Sequence, residues 1–424
     1  MKKVLIISPY FPPSNAADMQ RIRMSLPYFE QFGWEAEIVT VDPKYSDLQK
    51  DDLLMESIPE GLKIYTIKAL DKKWTSKIGL GSIALRSLWF YFRRVNQILK
   101  SRKFDLIYFS TTQFPVCILG VYWKKRFKIP YVIDMQDPWH TDYYLSKPKN
   151  ERPAKYWFSY RLNKWSEPIA IRNADGLISV AAQYIMDLES RYPVIKPIPK
   201  QTIPFAFSEI DFRIAKDSRL PITFQTGQCS IVYAGVAGHQ MQQSIRHLFQ
   251  ALQQLKEQHV ELYNKTTFYF IGTSYAPQGK GGEIISKTAA EYEISSQVIE
   301  YKARIGFYAT LKLITQVDAL LIIGTDDPGY TASKLYPYIF AKKPLLAILH
   351  PTSSAAKILK SCKGGTLITT DMPAEDASKI IIEYLTAVNL GKYEIRTDWK
   401  IFQKYSAEEM TQCQCLLFNA VLNK

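Results

Sequence analysis

The chain has 424 residues, 47% hydrophobic and 13% aromatic, which suits two domains that each bury a core and excludes a disordered chain. Five scattered cysteines exclude a disulfide framework, and neither Cys413-Gln-Cys415 nor the five histidines have the spacing of a zinc site. The net charge of +14 is concentrated in residues 1–200, with 31 Lys and Arg against 20 Asp and Glu, versus 23 against 20 in the rest. An anionic partner is therefore expected near the first half: a membrane surface, an acidic acceptor or nucleic acid. Nucleic acid fits least, because no zinc finger, helix-turn-helix or RNA-binding signature occurs.

Met1-Lys2-Lys3 followed by VLII imitates the start of a signal peptide, but the apolar run is short and meets Pro9 and Pro12-Pro13. No apolar run approaches the roughly 20 residues that span a bilayer. A cytoplasmic protein, peripheral on the inner membrane face if it meets lipid, is the expectation.

Residues 4–8 (VLIIS) form a continuous apolar run, the pattern of a strand buried on both faces. An irregular loop follows to residue 17. Met19, Ile22, Leu26 and Phe29 then recur at helical spacing, with a kink expected at Pro27 and a stop at Gly33. Residues 36–41 read as the next strand, so the chain opens with a strand–loop–helix–strand unit of Rossmann type. Further strands are predicted at 64–67, 105–110, 131–134 and 176–180.

Between them, residues 81–100 (GSIALRSLWFYFRRVNQILK) predict a basic, aromatic-rich amphipathic helix. Such a helix suits an anionic membrane surface; equally, it can pack on a core with its cations in water. Residues 147–164 read as a loop and an exposed helix. The proline-studded stretch 196–212 reads as a hinge. The same rhythm then restarts, with strands predicted at 230–236, 267–272, Val298–Tyr301, Ala319–Ile323, Leu345–Leu349 and Thr366–Thr369. The fold class expected is α/β: two Rossmann-like domains with parallel sheets facing across a cleft. An N-terminal domain would span 1–205, with a helical segment at 397–424 packing back on it, and a C-terminal domain would span 206–396.

Within the second half, residues 322–346 (IIGTDDPGYTASKLYPYIFAKKPLL) run from a strand through a polar turn into a helix opening at Ser333-Lys334. A helix N-terminus collects unsatisfied N–H groups and partial positive charge. Ser333 can cap it and Lys334 adds a full charge, so the stretch reads as a site for a nucleotide-linked phosphate. An ordinary turn with a Ser cap and a solvent-facing Lys fits the same residues.

Several stretches, in order, resemble the GT-B glycosyltransferases of the family 4 type. Residues 4–14 (VLIISPYFPPS) look like the first strand and loop of that family. Residues 129–139 (IPYVIDMQDPW) look like its D-x-R-D-P-W stretch, with Gln136 where Arg is common. Residues 167–180 (EPIAIRNADGLISV), Arg191-Tyr192-Pro193, residues 203–207 and 333–344 (SKLYPYIFAKKP) match later motifs. Each is weak alone; their order and spacing over nearly the whole chain are more specific. The pattern departs at the paired glutamates of the donor site, whose positions fall on Gly329 and Pro337.

The resemblance implies a retaining, hexosyltransferase-like enzyme. It would move a sugar from a nucleotide-sugar donor; a polysaccharide or lipid-linked acceptor, in cell-surface glycan synthesis, is expected from the basic first half and its helix near Arg93-Arg94. Stabilising the departing diphosphate and positioning the acceptor hydroxyl are the main needs. Lys334 and Arg304 are the candidate cations, with Ser333 and the Gly235/Gly238 turn contributing N–H groups. Asp326 or Asp327 would take the ribose hydroxyls that the missing glutamates cannot. Asp137 would hold the acceptor or the donor sugar, unless it only caps the turn before Pro138. Asp18, Arg21 and Gln136 are expected on the acceptor side, Asp18 being equally able to cap a helix. No spaced Asp-x-Asp motif occurs, so no metal and no cofactor beyond the nucleotide sugar is expected. A non-catalytic binding protein, motivated by Gly329 and Pro337, and a sugar-nucleotide 2-epimerase remain open alternatives.

Overall fold

The computed structural model describes residues 1–145, 148–149, 152, 155–274 and 284–423. The expected loop at 147–164 lies partly outside them. Backbone contacts divide the chain into two units: Met1–Phe205 with Ala407–Lys424, and Ala206–Ser406.

The first unit holds β1 (Lys2–Ile7), β2 (Trp34–Val41), β3 (Lys63–Ile67), β4 (Leu106–Ser110), β5 (Tyr131–Met135), β6 (Gly176–Ser179) and β7 (Lys200–Thr202). They form one sheet in the order β3-β2-β1-β4-β5-β6-β7, with every neighbouring pair parallel. Val4, Leu5, Ile6 and Ile7 are fully buried, as an unbroken apolar run in a two-sided sheet requires. Strand order reverses between β1 and β4, so the loops leaving those two strands diverge at the carboxyl edge and open a crevice.

Two local expectations change in this unit, and a third is met. The 19–29 stretch is a short helix, Gln20–Ser25, followed by a 3-10 turn, Leu26–Tyr28. Pro27 cannot donate the hydrogen bond that would continue the helix. The stretch 196–212 contains β7, because the Ile203 N–H donates to Ser179 O at 2.7 Å and the Leu177 N–H to Pro199 O at 3.1 Å. Its prolines flank an edge strand, where a missing donor costs least. The helix expected at 81–100 spans Ile83–Ser101, with Ser82 Oγ accepting from Leu85 N–H at 3.3 Å. Its apolar side is largely used by the core: Ile83, Tyr91, Val95, Ile98 and Leu99 are buried. Arg86 is buried as well and donates to Leu70 O at 2.9 Å and Tyr45 O at 2.8 Å. Trp89 alone of its large apolar residues is exposed, at 64%.

The stretch 397–424 is divided. Trp399–Phe402 groups with the C-terminal unit, where Phe402 stacks on Phe207 at 4.9 Å. Ala407–Leu422 is a helix of the N-terminal unit; its Phe418 lies 5.3 Å from Trp34 and 4.9 Å from Tyr108.

The C-terminal unit holds β8 (Cys229–Ala234), β9 (Thr266–Ile271), β10 (Val298–Tyr301), β11 (Ala319–Ile323), β12 (Leu345–Leu349) and β13 (Thr366–Thr369). Their order is β10-β9-β8-β11-β12-β13, again all parallel. Here the reversal falls between β8 and β11. Among the described residues no helix is long and apolar enough to cross a membrane.

Candidate functional site

In the C-terminal unit, the predicted phosphate residues meet where the strand order reverses. Lys334 comes from the chain after β11, and its Nζ lies 3.9 Å from the centre of the Tyr233 ring on β8. Gly235, one residue beyond β8, has φ of +149°, and a Cβ built there would collide with Lys334 Nζ. Glycine is thus favoured by backbone conformation, and a side chain there would displace the ammonium group. Gly238 differs, since a Cβ there would meet nothing within 4 Å.

Arg304, in the loop after β10, packs its backbone and stem 3.5 Å from a Cβ position on Gly272, just beyond β9. Lys334 is half-buried. Desolvation, helped by the Arg304 charge, pulls its pKa down to about 7. No carboxylate lies within ion-pair distance of Lys334 among the described residues. Such a poorly compensated cation is what an incoming anion would stabilise.

The helix end contributes less than expected. The helix spans only Leu335–Phe340, Lys334 occupies the cap position, and no side chain caps it. Ser333 is exposed and is not the cap; its N–H donates to Thr331 O at 3.1 Å, while Leu335 N–H donates to Ala332 O at 3.0 Å. A tight turn has taken over the role of the cap, and positive charge comes from side chains more than from the dipole of a six-residue helix. Pro337 lies in the first turn, where its missing N–H is harmless. Asp327 Oδ1 accepts from Gly329 N–H at 2.8 Å and so closes its own turn. Asp326 is exposed, with its N–H held by Gln240 O at 3.0 Å. Of the two aspartates, only Asp326 keeps its carboxylate clear of that turn.

In the N-terminal unit, Asp18, Arg21 and Gln136 come together at the reversal between β1 and β4, but inside the protein. They are 5%, 1% and 2% exposed, so none presents its side chain to an acceptor. Asp18 Oδ2 accepts from Thr111 Oγ1 at 2.8 Å and Thr112 N–H at 3.0 Å, beyond β4, and does not cap a helix. Arg21 Nε is 2.9 Å from Asp134 Oδ2, and its other nitrogens donate to Ile203 O and Pro204 O. Gln136 Nε2 lies within hydrogen-bond distance of Asp18 O, Ser110 Oγ and Asp134 Oδ2, which share its two hydrogens. A guanidinium therefore does reach Asp134, but from Arg21 rather than from position 136.

Asp137 stands on this network. It is exposed, and its carboxylate accepts no hydrogen bond from the described residues, so it does not cap the turn before Pro138. Desolvation by flanking protein, with a smaller contribution from the Asp18 charge, pushes its pKa up to about 6. Its loop is pinned on the far side too. Trp139 stacks on Phe114 at 5.2 Å, and His140 N–H donates to Glu167 Oε2 at 3.0 Å. Glu167 is buried and also accepts from Arg191 at 2.5 Å and Tyr192 at 2.9 Å. The support from Glu167, like the seat Tyr233 provides for Lys334, escapes sequence reasoning. A glutamate inside a helix pattern reads as a surface residue unless its three donors, 24 to 27 positions away, are known.

No family model matches the chain, and no curated protein matches it. Solved structures do. Sucrose-phosphate synthase from Thermosynechococcus elongatus aligns over 99% of this chain and 98% of its own, at 12% identity and a TM-score of 0.65. HepE from Anabaena in complex with UDP-glucose aligns over 98% of each chain, at 13% identity and a TM-score of 0.60. WaaG, a glycosyltransferase involved in lipopolysaccharide biosynthesis, aligns over 96% of this chain and 95% of its own, at 16% identity and a TM-score of 0.55. At such identities the likeness speaks for architecture. With two Rossmann-like parallel-sheet units in one polypeptide, the chain has the GT-B fold.

Proposed function

We propose that the protein is a glycosyltransferase that uses a nucleotide-sugar donor, with retention of anomeric configuration. The single observation carrying this reading is the placement of Lys334 against Gly235 and the Tyr233 ring at the strand reversal of the C-terminal unit, with desolvation and then the Arg304 charge lowering its pKa. UDP is the first nucleotide to test, because HepE is described in complex with UDP and with UDP-glucose. In the reaction the bond from the anomeric carbon to the diphosphate oxygen breaks, and its electron pair leaves with the diphosphate. The acceptor hydroxyl forms the new bond to that carbon and passes its proton to the departing diphosphate oxygen or to water. Lys334 and Arg304 would take up the developing diphosphate charge, which electrostatic preorganisation makes the largest contribution to such a step. Asp137 would hold a sugar hydroxyl. A polysaccharide or lipid-linked acceptor is the class proposed.

The test is thermal stability against UDP, GDP, TDP, ADP and CMP with their common sugars. A ligand binding only the native state at about 100 times its Kd adds roughly 2.7 kcal/mol. A shift with one nucleotide, abolished in Lys334→Ala, supports the reading; no shift with any of them removes it. Gly329 and Pro337 favour a second reading, a protein that binds the nucleotide without turnover, since neither can hold a ribose hydroxyl. Binding without release of nucleoside diphosphate in the presence of any acceptor would select it.

The N-terminal unit also supports contact with an anionic membrane surface. Trp74, Trp89, Trp157 and Trp165 are 62–73% exposed. They come from adjoining elements: Phe92, stacked on Trp89, meets Tyr122 at 4.9 Å, and Lys155 Nζ donates to Ser76 O at 2.7 Å. Lys77 lies over Trp74 and Arg161 over Trp157. Tryptophan interleaved with cations is the composition of an interfacial lipid contact.

A further inference from the structure

The C-terminal unit carries a second, unrelated concentration of charge. Residues 206–406 hold 22 Lys and Arg against 18 Asp and Glu, a net +4. A cavity of about 780 Å³ lies at the amino end of β12 and along the free edge of β13, and it shares no lining residue with the Lys334 cluster. Lys343, Lys360, Lys363, Lys392 and Arg396 line it against the single carboxylate of Glu394, again a net +4. The remaining residues of the unit are therefore balanced in formal charge, and its excess equals that of this cavity's lining.

The charge there is not compensated locally. Glu394 is taken by Arg396 at 2.8 Å. None of the four lysines has a carboxylate within ion-pair distance among the described residues. Asp398, the next acidic residue in the chain, does not line the cavity and accepts from Ile401 N–H at its own helix start. Two helices, Ser354–Ser361 and Ala374–Asn389, end beside the cavity, and cations favour helix C-termini. Each such end carries about half a negative charge, so the two offset roughly one cation of the net four. Helix dipoles alone do not account for the cluster.

We propose that this cavity binds a small anion bearing two or more linked phosphate groups. Its volume falls within the roughly 300–1,000 Å³ of small-molecule sites. Polar groups for a hydrogen-bonding ligand are present in Thr366 Oγ1 and Tyr393 OH, which lie 3.2 Å apart on the lining. Nucleoside triphosphates and inorganic oligophosphates share the required chemistry.

The test is calorimetric titration of the full chain with inorganic tripolyphosphate, ATP and orthophosphate. It uses the Lys334→Ala protein, so that the proposed donor site does not contribute. At ~0.15 M salt, where charges beyond about 8 Å are screened, tripolyphosphate is expected to bind with one-to-one stoichiometry and far more tightly than orthophosphate. The combined Lys360→Gln, Lys363→Gln and Lys392→Gln variant should lose about tenfold or more in affinity. All three lysines are exposed, so only a small change in melting temperature, from their helix-end contacts, is expected, which separates lost binding from lost folding. ATP stronger than tripolyphosphate would name a nucleotide as the ligand, and equality would name the phosphate chain; either supports the site. Absence of saturable binding, or an isotherm unaltered in the triple variant, overturns it.

Discussion

The ammonium group of Lys334 rests 3.9 Å from the centre of the Tyr233 ring, in the space that any side chain on Gly235 would need. The three residues come from both sides of the strand reversal in the C-terminal sheet, and the aromatic face supplies the cation with partial compensation. That arrangement holds a partly desolvated lysine ready for an anion.

Nucleotide binding should therefore be linked to proton uptake. Burial lowers the Lys334 pKa to about 7, and a bound diphosphate would raise it again. Affinity should be highest below pH 7 and fall as pH rises above it, by at most about tenfold per pH unit for one linked proton. Titration calorimetry at pH 7.5 in two buffers of different ionisation enthalpy would show the uptake. Equal heats in both buffers would separate Lys334 from the ligand.

For Gly235→Ala, the atom displaced is the far end of a flexible side chain, so the lysine should yield rather than the fold. Loss of a charge-assisted contact is worth about 1.5–3 kcal/mol, or roughly 10- to 100-fold in nucleotide affinity. Strain at the glycine φ adds about 1–3 kcal/mol to the stability cost. Affinity and melting temperature measured together would separate the two effects.

Asp137 predicts an acid limb in the rate profile. With its pKa raised to about 6, the carboxylate is ionised above that value and lost as pH falls through it. If the ionised form holds the sugar, kcat/KM should decline below about pH 6, and Asp137→Asn should be low and flat across the same range. Asp18→Asn removes the neighbouring charge and should move the limb to lower pH.

Arg21→Met tests the buried network. Both Arg21 and Asp134 side chains are fully buried, so the substitution leaves a carboxylate without its guanidinium. Breaking a buried pair in this way costs about 3–5 kcal/mol. An unfolding free energy, from urea titration, lowered by less than a third of that would show that Ser110 and Gln136 alone suffice for Asp134.

Membrane contact should depend on the exposed tryptophans. Binding to vesicles containing anionic lipid at low salt is expected, with weaker binding in the combined Trp89→Ala and Trp157→Ala variant and a loss at high salt. Binding indifferent to both changes would place the cations in water as ordinary surface charge.

Much of the architecture is legible in the amino-acid sequence itself. VLII at 4–7 and LLII at 320–323 are unbroken apolar runs, and only a strand covered on both faces can hide them; two such series imply two parallel sheets. The 333–344 stretch points to Lys334 for the same kind of reason, since a cation after a buried strand falls at the carboxyl edge. Direction and burial are not legible in this way. Nothing local marks Arg21 as an inward residue, because its partner Asp134 is 113 positions away and the pair forms only once β1 and β5 share a sheet. Ser333 reads as a cap because cap chemistry is local, yet the backbone turn at 331–335 takes its place. Strand periodicity is decided by nearest neighbours along the chain. Whether a charge meets water, a partner or an aromatic face is decided by packing between distant segments, and only the folded protein holds that information.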